Sequence, residues 1–288
     1  MDELLSEVAV AVGAQASDLR IRPMAGGDTS PTFEVRDQDD GRWIVKTDSA
    51  GGHHRFSAEA EGLDALRCTR TLRVPAVLAL DPDNRFLVLE AIPTRPFDRD
   101  GWITLATGLA GLHRWNAGGR YGWSSGNFIG PSVQHNSWGT SWVDFWRECR
   151  LEPQVKRAVD TGRVGSSQGV LLAAILDRLE QWVPVRVQPS LLHGDLWSGN
   201  VLLTTGGQPV LIDPAVAVGD READLAMTHM FGGFPPAFHE AYDLEYCRPA
   251  GWSERLDLYT LYHWLNHLNC FGLQYAEPVR RIARRYGS

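Results

Sequence analysis

A chain of 288 residues that is 43% hydrophobic and 22% charged is long enough for two modest lobes, each with its own core. Its net charge of −7 and lack of a basic run argue against nucleic acid as substrate or partner, and no apolar run approaches the ~20 residues of a membrane span. Cys68, Cys149, Cys247 and Cys270 form no Cys-x-x-Cys pair, so neither zinc nor a disulfide framework is expected. The acidic Met1-Asp2-Glu3 start is no leader, and a cytoplasmic protein is expected.

Asp2 to Val12 reads as a short amphipathic helix with Leu4, Leu5, Val8 and Val12 on one side. A strand from Leu19 to Met24 then runs into Ala25-Gly26-Gly27-Asp28-Thr29-Ser30, and a second strand follows at Thr32 to Val35. The amides of Gly26 and Gly27 at such a tip are candidates to cover nucleotide phosphates, although an ordinary hairpin turn satisfies the same pattern. Lys46 ends the apolar strand Arg42 to Thr47, the position of a lysine that pairs with nucleotide phosphates. In the helix from Arg55 to Cys68, Glu59 shares the inner stripe of Phe56, Leu63 and Leu66, whereas Glu61 points away. An inward glutamate needs a cation, and Lys46 is the expected partner.

Strands at Val77 to Leu80 and Arg85 to Glu90 lead into Ala91-Ile92-Pro93. Glu90, Ala91 and Ile92 form the candidate hinge against an adenine edge, with residues 1–92 as the nucleotide-binding lobe and 93–288 as the catalytic and substrate lobe. A helix over Trp102 to Trp115 precedes a Gly-, Ser- and Asn-rich stretch from Tyr121 to Thr140. That stretch carries Asn127, Gln134, Asn136 and Trp138, and its amides and aromatics are read as a sugar-binding surface. Ser141 is expected to cap the next helix, and Leu171 to Trp182 forms another.

The chemistry concentrates in Leu191-Leu192-His193-Gly194-Asp195-Leu196-Trp197-Ser198-Gly199-Asn200 and Val210-Leu211-Ile212-Asp213-Pro214. Asp-Leu-x-x-x-Asn is the spacing of a kinase catalytic loop, in which the Asp accepts the hydroxyl proton and the Asn holds Mg²⁺. Asp213, just past the next strand, suits the second metal ligand. Two buried strands joined by ordinary turn residues would give a similar local pattern, but Lys46 and Asp213 occur in the order that phosphoryl transfer requires. After Gly219, Asp220 suits a helix N-cap, and Asp224 suits a tie back to the catalytic loop.

With these residues in view, the chain resembles the fructosamine kinase (ketosamine-3-kinase) family, in the aminoglycoside and choline kinase-like branch of the protein-kinase fold. The likeness rests on His193 to Asn200, Phe56 to Leu63, Asn127 to Gly130 with Gln134 and Asn136, Trp142 to Arg150, and Ile212-Asp213-Pro214. It implies an α+β, bilobal protein-kinase-like fold, with a small antiparallel-sheet N-lobe and a larger, mainly helical C-lobe. It also implies an ATP- and Mg²⁺-dependent kinase for the 3-hydroxyl of ketosamines, free or on glycated protein. The site residues implied are Asp195 as general base, Lys46 and Glu59 on the phosphates, Asn200 and Asp213 on the metal, and Trp197, His193 and Trp138 toward substrate. Some members carry a cysteine in the Gly-rich loop; none lies between Gly26 and Ser30, so no disulfide-linked dimer through that loop is expected, and a monomer is. The competing readings are an aminoglycoside, choline or sugar kinase of the same fold, and a non-catalytic nucleotide-binding module.

Overall fold

The computed structural model describes residues 2–24, 30–48 and 54–288. Gly26 and Gly27 lie outside the described residues. The chain opens with α1 (Asp2–Val12), then β1 (Arg20–Pro23), β2 (Thr32–Arg36), β3 (Arg42–Thr47), α2 (Arg55–Thr69), β4 (Val77–Leu80) and β5 (Phe86–Glu90). The strands form one antiparallel sheet in the order β1-β2-β3-β5-β4. The two-residue period of a strand sorts its side chains between two cores. Val45, Phe86 and Val88 face Val8 and Ala9 of α1. On the other face, Ile44, Leu87 and Leu89 meet Phe56, Leu63 and Leu66 of α2. Lys46 falls on the same face as Ile44, toward α2, because the two are separated by two residues.

Beyond β5 the order is β6 (Thr94–Arg95), α3 (Arg99–Arg114), β7 (Asn127–Ile129), β8 (Ser132–Gln134), α4 (Trp142–Trp146), α5 (Glu152–Asp160) and α6 (Ser166–Asp177). It closes with β9 (Ser190–Leu192), β10 (Val201–Thr204), β11 (Pro209–Leu211), β12 (Ala217–Gly219), α7 (Glu222–Met227), α8 (Pro236–Glu245), α9 (Trp252–Phe271) and α10 (Ala276–Tyr286). A small antiparallel sheet followed by a mainly helical remainder is the expected α+β, protein-kinase-like order.

Helix α3 begins three residues before the expected Trp102 because the Asp98 carboxylate caps it, accepting from the Gly101 amide at 2.8 Å. Helix α6 runs from Ser166 to Asp177 rather than from Leu171 to Trp182; it opens on two exposed serines, so the apolar period marks only the later turns. Ser141 caps α4 as expected, its Oγ accepting from the Asp144 amide at 3.4 Å. The stretch read as a loop from Tyr121 to Thr140 contains a hairpin, with Asn127 opposite Gln134 and Ile129 opposite Ser132.

Two cores hold the helical part. One gathers Trp142, Trp146, Leu172, Ile175, Tyr259, Leu265 and Ile282. The other continues from α2 and β5 into Leu105, Leu109, Leu191, Leu196 and Phe238. A single apolar cluster therefore joins the sheet-side helix to the strand that carries the catalytic loop.

Candidate active site

Two loops at the ends of buried strands build the centre. β9 pairs antiparallel with β12, Leu191 opposite Val218 and Leu192 opposite Ala217, and β10 pairs with β11, Val201 opposite Leu211. The loop 193–200 and the loop 212–216 thus run side by side. Three contacts staple them: the Ala215 amide donates to the His193 carbonyl (2.8 Å), the Ile212 amide to the Asn200 carbonyl (3.1 Å), and His193 Nε2 meets the Ile212 carbonyl at 2.9 Å. Gly194 sits at φ +83°, and a Cβ there would lie 2.0 Å from the Ala215 carbonyl oxygen, so only glycine allows this approach. Asp213 adopts φ +55°, an uncommon conformation that turns its carboxylate into the cleft.

Asn200 Nδ2 donates to the Asp195 carbonyl at 2.8 Å and to Asp195 Oδ2 at 3.0 Å. Both bonds use the amide nitrogen, so Asn200 Oδ1 is turned away from Asp195. Across the cleft, Lys46 Nζ donates to Glu59 Oε1 and to Asp213 Oδ1, each at 2.6 Å. Burial alone would depress the Lys46 pKa, but the charges of Glu59 and then Asp213 hold it above its ordinary value. Burial raises Glu59, opposed by Lys46. Asp195 is pushed up to about 7, first by burial and then by the Asp213 charge, against the hydrogen bond from Asn200. A base poised near neutrality is suited to proton abstraction at physiological pH.

These side chains line one cleft of about 280 Å³, whose opposite wall is formed by Trp197, Phe231, His267, Phe271 and Tyr275. The buried Ser30 hydroxyl lines the Lys46 side and has no hydrogen-bond partner among the described residues. A buried donor without a partner is costly, and a phosphate oxygen would satisfy it. The donor set also fits Mg²⁺. Asp213 and Asn200 Oδ1 offer two hard oxygens, few enough for an ion that keeps water and phosphate in its shell. Among the described residues no group of three or more His, Cys, Asp or Glu forms a self-sufficient metal cage.

The fructosamine kinase family profile matches residues 1–286. The chain belongs to the fructosamine kinase family. A probable ketoamine kinase of Vibrio parahaemolyticus is 38% identical over 260 residues, 89% of this chain and 88% of that protein. A chloroplastic protein-ribulosamine 3-kinase of Arabidopsis thaliana is 35% identical over 252 residues, covering 86% and 77%. The crystal structure of a putative fructosamine-3-kinase from Thermobifida fusca superposes with a TM-score of 0.88 at 29% identity, covering 99% of this chain and 98% of that one. As a member of this family the chain is a phosphotransferase.

Lys46, Glu59, Asp195, Trp197, Asn200 and Asp213, all singled out in the sequence, converge on the cleft. Other expected site residues lie elsewhere. His193 is fully buried beneath the catalytic loop and braces it against Ile212 rather than lining the cleft. Trp138 is 41% exposed, covered on one face by Arg120 at 5.0 Å, and does not line the cleft. The amides expected to form a sugar surface turn inward: Asn127 Nδ2 donates to the Val216 carbonyl (2.7 Å), and Gln134 Nε2 and Asn136 Nδ2 donate to Asn127 Oδ1 (2.8 and 2.9 Å). Of the three only Asn127 reaches the cleft wall. Glu90 pairs with Arg73 and accepts from the Ala76 amide, while Ala91 and Ile92 are partly exposed outside the lined cleft.

Sequence reasoning missed the aromatic wall. Phe231 is set against Trp197, ring centroids 6.1 Å apart, by Gly232 and Gly233 at φ +72° and +94°. A Cβ on Gly233 would meet Ser198 Cβ at 2.5 Å. The Phe231-Gly232-Gly233-Phe234 run was the available signal.

Proposed function

We propose that the chain transfers the γ-phosphoryl group of ATP to the 3-hydroxyl of a ketosamine, as the names of its relatives suggest for them. The observation that carries the reading is the convergence of Asp195, Asn200, Asp213 and Lys46 on one cleft whose far wall begins at Trp197. Asp195 Oδ accepts the proton of the attacking hydroxyl, with Asn200 holding the carboxylate in place. Lys46, kept charged and aimed by Glu59, meets the phosphates from the sheet side, and the Ser30 hydroxyl completes that contact. Asp213 and Asn200 Oδ1 would hold Mg²⁺, which supplies positive charge against the transferring phosphoryl group. With Asp213 serving as a metal ligand, Glu59 would be the carboxylate that orients Lys46.

Residues 1–92 act as the nucleotide lobe and 93–288 as the catalytic lobe in this reading, with Glu90 to Ile92 as the hinge segment. The working unit is a cytoplasmic monomer. Among the described residues no helix is long and apolar enough to cross a membrane. An aminoglycoside or choline kinase would use the same phosphate machinery, so the acceptor must be tested directly. ADP release with Mg·ATP is expected on ribuloselysine or fructoselysine and not on an aminoglycoside or choline. Asp195→Asn should keep ATP binding and lower kcat by ~10² or more, the scale of general-base loss. Full activity in that variant would remove Asp195 from the role of base.

A further inference from the structure

The aromatic wall is a chain of touching rings that begins two residues after Asp195 and ends at the surface. Trp197 meets Phe231 at 6.1 Å, Phe231 meets His267 at 5.0 Å, and His267 meets Phe271 at 5.4 Å and Tyr275 at 5.1 Å. Phe231 and Phe271 remain 39% and 38% exposed, although each is large and apolar. Contiguous exposed aromatic surface continuous with a cleft marks a ligand contact rather than core. The charges of the cleft are arranged to one side. Its only lining cations among the described residues, Lys46 and Arg55, come from β3 and α2, and its carboxylates are Glu59, Asp195 and Asp213. Among the described residues that line the cleft, the aromatic side therefore offers ring faces and no lysine or arginine.

Resting on the proposed acceptor, we infer that Phe231, His267, Phe271 and Tyr275 form a binding site for the amine half of the ketosamine. It takes a secondary ammonium bearing an apolar chain and discriminates against amines that carry a carboxylate close to the nitrogen. Ring faces attract a cation and cover an alkyl or aryl chain, whereas a carboxylate there meets the negative faces of the rings and no lysine or arginine among the lining residues. A lysine side chain within a peptide presents this chemistry, because its backbone carboxylate is already an amide.

The test keeps the ketose constant and varies the amine: benzylamine, methylamine and glycine adducts, each with saturating Mg·ATP. KM should rise in that order, with the glycine adduct about tenfold or more above the benzylamine adduct, the worth of a cation–aromatic contact plus stacking. Phe271→Ala should narrow the benzylamine-to-glycine KM ratio to within about threefold, and Phe271→Leu, which keeps the apolar volume without the ring, should fall between. Leu273→Ala, 64% exposed and outside the cleft lining, should leave the ratio as it was. Equal KM values for the three adducts in the native enzyme would overturn the inference alone. So would a Phe271 variant that raises all three by one factor. No turnover of any adduct, with Mg·ATP still bound, would overturn the ketosamine reading and the inference with it.

Discussion

Asp224 shows how much one buried side chain can organise. Its Oδ2 accepts the His193 amide at 2.7 Å and its Oδ1 the Gly194 amide at 2.8 Å, and Oδ2 also faces His113 Nε2 at 3.3 Å. Burial alone would raise its pKa, but these hydrogen bonds, that from His113 foremost, hold it below the ordinary carboxylate value. A carboxylate with a depressed folded-state pKa stabilises the fold above its unfolded value near ~3.9, and that contribution is lost as pH falls through the folded value. Asp224→Asn should therefore cost about 1.5–3 kcal/mol at pH 7, the range for hydrogen bonds to a charged group. The gap between the two proteins should close as the pH falls below about 4, the unfolded carboxylate range. Urea unfolding at pH 7 and at acid pH measures it; a gap independent of pH would mean that the charge is not what holds the loop. The tie from Asp224 to the catalytic loop was legible in the sequence, and so was the Lys46–Glu59 pair, because helix periodicity put Glu59 inward. The family resemblance places His193 toward substrate, two residues before Asp195. Gly194, at φ +83°, turns the chain between the two residues, so His193 is buried under the loop while Asp195 faces the cleft.

At the scale of elements, the β7–β8 hairpin supports the Asp213 loop from below. Asn127 makes three of these contacts, two of them received by its Oδ1 and one donated by its Nδ2. Arg150 closes the ladder, buried and with no carboxylate paired to it among the described residues; its Nη2 donates to Asn136 Oδ1 at 2.8 Å and its Nη1 to the His135 carbonyl at 2.7 Å. Asn127→Ala removes three buried hydrogen bonds, although Gln134 and Asn136 keep the Ala215 and Ser125 carbonyls, and should destabilise the protein by about 3 kcal/mol. The unfolding midpoint in denaturant reads this; an unchanged midpoint would show that water replaces the ladder without loss. Composition alone suggested a sugar surface here, since amides and aromatics in a long loop serve ligands and buried networks equally well. Only the register of the hairpin decides, and that register depends on contacts more than 80 residues away in sequence. Glu61 follows the same logic. Helical geometry correctly turns it away from Lys46, and the fold uses it to receive Ser124 Oγ at 2.6 Å and Ser125 Oγ at 2.8 Å. Gly62 beside it lets α2 approach Pro214, where a Cβ would lie 3.1 Å from the ring.

Across the whole molecule, the Lys46 side and the aromatic side of the cleft are built from different parts of the chain. β3 and α2 bring Lys46 and Glu59, the two strand-end loops bring Asp195, Asn200 and Asp213, and the turn after α7 and the end of α9 bring the aromatic wall. The first two carry strong local signatures and were legible as motifs. The third comes from Phe231, His267, Phe271 and Tyr275, spread over 45 residues of ordinary helix-forming sequence, and becomes a surface only when α9 packs against α7. Helix α2 stays tied to the helical part through Glu61, Gly62 and a shared apolar cluster, so the Lys46–Glu59 pair is assembled before any ligand arrives. That is the preorganisation phosphoryl transfer needs.

The central claim is that this assembled centre phosphorylates a ketosamine at its 3-hydroxyl. The most direct measurement is the position of the new phosphate after turnover of ribuloselysine or fructoselysine with Mg·ATP, read from phosphorus–carbon couplings by NMR. The account predicts one phosphate, on O3, formed in step with ADP and absent with Asp195→Asn. A phosphate on another oxygen, or transfer only to an aminoglycoside or choline, would contradict it.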